Sequence, residues 1–209
     1  MKFIKTILII GILVTSTQSF SKEFDCQALY NEAKLIEKSE QSLSQFKLNI
    51  QTYIKSGCDS KIDLNSFLNL FYQWLDFINT VKTVQFIDEY IDSVYLMSTL
   101  TDGFLTTTFY ETLSIKLVKD PEFFVIFYKA YFNRYYTTDE DSKISMIIMA
   151  TIEEEPCQFY SKALQGLAKV SDSRYEETIT EIKDTIIKES QSEYDKCDQD
   201  EINKSANGG

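Results

Sequence analysis

The sequence predicts an all-α protein, a single domain of about eight or nine antiparallel helices closed by two disulfides. Three observations carry that expectation. Apolar residues recur at helical spacing along nearly the whole chain, glycine and proline number only six and two, and the four cysteines stand where they can close helical hairpins. β-sandwiches and barrels need far more turn residues than this.

The first residues, MKFIKTILIIGILVTSTQSFS, have the layout of a secretory signal peptide over 1–21. Lys2 and Lys5 form the positive region, TILIIGILV the apolar run, and small residues near Thr17, Ser19 and Ser21 a cleavage site. That run is too short to span a bilayer, and Cys26 follows Glu-Phe-Asp, which disfavours a lipid anchor. The expected mature protein is a helical domain over 22–197 with a polar, disordered tail over 198–209, located in the periplasm or secreted, with no membrane insertion after cleavage.

Within the domain, helices are expected near 25–37, 42–56, 63–78, 81–99, 103–118, 121–136, 140–153, 157–169 and 173–194. Leu64, Phe67, Leu68, Phe71, Trp74, Leu75 and Ile78 keep one face, opposed by Asn65, Asn69, Gln73 and Asp76. Val84, Ile87, Ile91 and Val94 repeat the pattern. Thr137-x-x-Glu140 and Ser173-x-x-Glu176 match capping boxes, and Asp120-Pro121 and Glu155-Pro156 place an acid before a proline at a first helical position. Gly57 is placed to terminate the second helix.

Leu29, Ile36, Leu43 and Ile50 fall at heptad spacing, which also suits one long helix. Such a helix would hold Cys26 and Cys58 roughly 48 Å apart, whereas a disulfide needs Cα atoms within about 7 Å. Folding EKSEQS (37–42) into a turn gives a hairpin whose open end carries both cysteines, with the heptad residues on its inner face. Cys157 and Cys197 bracket a second helical pair around VSDS (170–173). The expected bonds are therefore Cys26–Cys58 and Cys157–Cys197, one clasp at each end of the molecule. Both bracketed segments begin Cys-Gln. Successive helices with short links suit an α-solenoid of HEAT or tetratricopeptide style, or an irregular bundle. The consensus signatures of those repeats are absent.

The chemistry on offer is narrow. The chain has no histidine, which excludes Ser-His-Asp and Cys-His systems and histidine metal sites. Oxidised cysteines supply no thiolate, and no phosphate-binding glycine loop or G-x-S-x-G occurs. Glu153-Glu154-Glu155 reads as a solvated run at a helix boundary, and Asp195, Asp198, Asp200 and Glu201 lack the glycine and spacing of a calcium loop. No cofactor, metal or catalytic residue is expected.

The formal net charge is −11, and loss of Lys2 and Lys5 would leave 19 basic against 32 acidic residues. Such a surface repels nucleic acid and anionic lipid and attracts a basic protein. In size, charge and compartment the chain is similar to small exported immunity or inhibitor proteins. The expected role is thus a non-enzymatic protein binder, with a carrier of an apolar ligand between helices 63–78 and 121–136 as the alternative.

The segment DPEFFVIFYKAYFNRYY (120–136) is the candidate site. On a helical wheel Phe124, Tyr128, Tyr131 and Tyr135 share one stripe, flanked by Phe123 and Phe127 on one side and Phe132 on the other. Glu122, Ile126, Lys129 and Asn133 form the narrow opposite face. So wide an apolar arc suggests packing by neighbours on both sides. Buried tyrosine hydroxyls need partners, however, and tyrosine and arginine are enriched at binding hot spots. Phe124, Tyr128, Tyr131, Arg134 and Tyr135 are accordingly the expected partner-binding residues if the stripe faces a half-open groove.

Overall fold

Aspartates set the helix starts. In the computed structural model, which describes residues 25–135, 145–148, 156–191 and 197–208, Asp25 accepts from the backbone N–H groups of Gln27 and Ala28, and Asp63 from that of Ser66. Asp120 accepts from Phe123 N–H ahead of Pro121. Each bond satisfies a donor that the first helical turn leaves without an intrahelical partner. The helices are α1 (Cys26–Leu35), α2 (Leu43–Lys55), α3 (Leu64–Thr80), α4 (Ile87–Ser98), α5 (Gly103–Lys119), α6 (Pro121–Tyr135), α7 (Pro156–Leu167), α8 (Glu176–Ser190) and α9 (Gln199–Ala206). Residues 145–148 are also helical, and no strand occurs among the described residues. The signal peptide expected over 1–21 and most of the helix expected over 140–153, including Thr137-x-x-Glu140 before it, lie outside those residues.

The helices form hairpins, α1/α2, α3/α4, α5/α6 and α7/α8, and the hairpins stack. Odd-numbered helices lie side by side, α1 on α3, α3 on α5 and α5 on α7; even-numbered helices do the same, α2 on α4, α4 on α6 and α6 on α8. That is the two-layer logic of an α-solenoid, in which each unit packs on its neighbours in sequence. Large side chains fill the space between layers. Phe46 of α2 meets Trp74 edge-on and Phe77 of α3, with ring centroids 6.0 and 4.7 Å apart, and Tyr53 meets Trp74 at 5.6 Å. Removing one such buried ring costs about 3–5 kcal/mol.

Both disulfides form as the hairpin geometry requires, Cys26–Cys58 and Cys157–Cys197, with Cα atoms 5.4 Å apart in each. Gly57, at φ +61°, ends α2 in the left-handed region and turns the chain so that Cys58 reaches back to α1. The clasped hairpins are the first and last of the stack.

Several expectations need correction. The tail is not disordered over its described part: Asp198 caps α9, Ile202 is buried, and the Ser205 and Ser161 hydroxyls pair at 2.6 Å. One large apolar residue in eight leaves too weak a pattern to mark a helix. The fourth helix begins at Ile87 rather than 81, because Val81–Thr83 is extended and a 3-10 turn, Val84–Phe86, precedes it. The capping box at Ser173 is replaced by Asp172, which accepts from Arg174 N–H to start a 3-10 turn. On α1 the inward face is Tyr30 and Ala33, with the heptad residues Leu29 and Ile36 only half-buried.

Candidate functional site

The aromatic helix α6 lies between α4, α5, α7 and α8, and its wide apolar arc is closed from both flanks. Phe123, Phe124, Val125, Phe127, Tyr128, Tyr131 and Phe132 are all buried, while Glu122, Ile126, Lys129 and Asn133 form the open side. Phe124, Tyr128 and Tyr131 therefore belong to the core, and the half-open groove expected of them is not there. Tyr128 is tolerated there because its polar end is met: the hydroxyl donates to Glu181 Oε1 at 2.8 Å.

Arg134 and Tyr135 stay nearer the surface, but their polar groups are committed within the fold. Arg134 donates to Asp88 and Asp92 at 2.8 Å each, the Tyr135 hydroxyl donates to Asp92 at 2.8 Å, and Lys47 pairs with Asp92 at 3.1 Å. Partial burial alone would raise the Asp92 carboxyl. Hydrogen bonds from Tyr135 and Lys47 and the Arg134 charge outweigh it and hold the group below its ordinary range. Burial, reinforced by Asp92, pushes the Tyr135 phenol up. The Tyr135 ring stacks on Tyr95 at 3.9 Å, the two planes nearly parallel. The cluster ties α2, α4 and α6, three successive helices of the even layer. It stabilises the stack, with each of these polar groups already paired within the fold.

An opening lies instead on the odd layer, between the N-terminal ends of α3 and α5. Leu64, Phe67 and Leu68 form one wall; Leu100, Phe104 and Leu105 form the other. The groove holds about 510 Å³. Leu64 and Phe104 are 69% and 72% exposed, whereas the apolar residues that follow them in α3 and α5 turn inward. Their position in the chain explains this. Helical side chains lean toward the N-terminus of their helix, so an apolar residue in the first turn projects past the helix end and finds no preceding turn to cover.

The groove has polar ends. Asp59 stands in the 3-10 turn Cys58–Ser60, and Asp102 at the N-cap of α5, with Thr99 and Thr101 between the walls. Asp102 makes no side-chain cap bond to α5, so its carboxylate is not spent on the helix. Among the described residues, no lysine or arginine lines the groove. The periodicity places Leu64 in the core stripe of the third helix, and Phe104 is the first apolar residue after Thr-Asp-Gly. The signal that marks both is an apolar residue in the first turn of an otherwise amphipathic helix.

Elsewhere, among the described residues, one charged group is buried. Lys116 of α5 is 4% exposed; its Nζ donates to the Val81 carbonyl at the end of α3 and lies 4.9 Å from the Phe123 ring centroid. Burial is the dominant influence and pulls the ammonium down to about 8. The described residues hold no free cysteine and no trio of acidic or cysteine side chains placed to bind a metal ion. No helix among them is long and apolar enough to cross a membrane. No protein-family model, no curated protein and no solved structure matches the chain.

Proposed function

We propose that the chain is an exported, non-enzymatic protein that binds another, basic protein, in the manner of an immunity or inhibitor protein, in the periplasm or outside the cell. The observation that carries this reading is the groove between α3 and α5, where two exposed apolar side chains stand beside Asp59 and Asp102 on a scaffold of formal charge −11. Exposed apolar residues framing a concavity with polar edges are the usual composition of a recognition surface. Two disulfides supply rigidity suited to an oxidising compartment.

A carrier role is the competing reading, and it would have to use the same open groove. The aromatic face of helix 121–136, expected to hold a ligand together with helix 63–78, is packed against α4, α5, α7 and α8. The test is affinity capture with the oxidised mature protein against the extracytoplasmic fraction of its source. The expected result is one basic protein retained in stoichiometric amount and released by salt. Native mass spectrometry that finds a bound lipid or apolar small molecule, and no protein, replaces this reading with the carrier.

A further inference from the structure

We infer that the groove between the N-terminal ends of α3 and α5 receives a short amphipathic segment of a basic protein, an apolar side chain seating between Leu64 and Phe104 while lysine or arginine side chains meet Asp59 and Asp102. This rests on the protein-binding reading above and adds where the partner docks and what it presents.

Isolated exposed leucines and phenylalanines are normal on any surface. Leu64 and Phe104 are not isolated: they face one concavity floored by the half-buried Leu68 and Leu100. Its size falls within the ~300–1,000 Å³ of ordinary ligand sites. The charge selects the occupant. Among the described residues, the lining has two carboxylates and no basic side chain, and Asp102 is free of its helix cap. The two helix N-termini beside it contribute roughly half a positive charge each, and Asp63 already caps α3. The groove therefore stays net acidic and favours a cationic segment.

The same charges disfavour a second copy of this chain. A two-fold contact through the groove places like surfaces together, bringing Asp59 and Asp102 toward their symmetry mates between two chains of formal charge −11. An apolar small molecule is also a poor fit. With Leu64 and Phe104 mostly exposed, it would remain half in water, whereas small-ligand sites bury most of their ligand.

The probe is a fluorescent synthetic helix with leucine on one face and lysine on the other, titrated into the oxidised mature protein. Its controls are a leucine/glutamate helix and a lysine/glutamine helix. The expected result is saturable 1:1 binding of the leucine/lysine helix alone. Phe104→Asp should weaken it at least about tenfold, as loss of an apolar anchor does. Asp59→Asn with Asp102→Asn should weaken it about three- to tenfold at low salt and flatten its salt dependence. Glu176→Gln with Glu177→Gln, on the exposed acidic face of α8, should leave it unchanged. All three groove positions are exposed, so circular dichroism of each variant should match the parent.

Equal binding to the parent and Phe104→Asp, or equal binding of the lysine/glutamine helix, overturns the inference. So does a parent homodimer that Phe104→Asp dissolves, or a fatty-acid probe that the groove binds while refusing the peptide. A partner captured equally by the parent and Phe104→Asp defeats the groove assignment and leaves the protein-binding reading standing. Groove-dependent peptide binding with no partner captured defeats the broader reading alone.

Discussion

Lys116→Met should make the protein more stable at neutral pH and less stable at high pH, with the two curves crossing between. Methionine keeps the packed stem of Lys116 against Phe123 and Tyr90 and removes the charge. Lys116 titrates near 8 rather than the ordinary 10.5 because burial penalises the ammonium; Asp120 and Glu40 favour it weakly, and Lys82 and Lys119 oppose it. At about 1.4 kcal/mol per pH unit, holding that charge in the fold costs about 3 kcal/mol at pH 7. Its bond to the Val81 carbonyl returns about 1–2 kcal/mol, which methionine forfeits. The net gain for the variant at pH 7 is about 1–2 kcal/mol. Between the folded and unfolded values the unfolded chain binds more protons, so the parent gains stability as pH rises and the variant does not. By pH 10.5 most of the 3 kcal/mol is gone and the variant is the weaker protein by about 1 kcal/mol. Urea unfolding followed by the fluorescence of Trp74, the sole tryptophan and a buried one, reads both curves. A stability difference that is flat from pH 7 to 10.5, or a variant weaker at pH 7, refutes the placement of this charge in a low-dielectric site.

Tyr128→Phe should cost about 1–2 kcal/mol by deleting the donor to Glu181, and Tyr131→Ala about 3–5 kcal/mol by emptying core volume, both read by urea unfolding. Neither should change partner affinity once the protein is folded. Asp92→Asn should cost about 1 kcal/mol at pH 7 by loosening its ties to Lys47, Arg134 and Tyr135. The folded Asp92 carboxyl lies below its unfolded value of 3.8, so this contribution is full above that pH and disappears as pH falls through the folded value. Melting curves of the two proteins should therefore draw together as pH falls below 3.8 and through the lower folded value. Ile202→Ala should cost about 2–4 kcal/mol in urea, a loss a disordered tail would not show.

The cysteine spacing made the end hairpins legible because a disulfide is a distance constraint. A chain of 32 residues joined at 5.4 Å has to double back. The arc of α6 was legible too, since the seven buried residues of its fifteen lie opposite the face of Glu122, Ile126, Lys129 and Asn133. What stayed hidden was whether the tyrosine hydroxyls met protein or solvent. Glu181 lies 53 residues downstream of Tyr128, and no local pattern reports that pairing. Leu64 was misplaced for a different reason. Periodicity assigns a face but not an end, and a first-turn side chain on the core face still overshoots the core. Ile202 was missed because its helix is held by capping and by contact with α7 and α8 rather than by its own apolar stripe.

The clasped hairpins at each end of the stack reverse the usual order of failure in a layered helical array. Such arrays peel from their termini, where a unit has one neighbour instead of two. Here each terminal unit has its first helix tied covalently to the far side of its second, and α9 lies across the last pair. Opening is thereby moved to the interior units, which must lose contacts on both sides at once. Oxidised protein should consequently resist proteolysis as a whole, whereas reduction should let it be trimmed stepwise from either end.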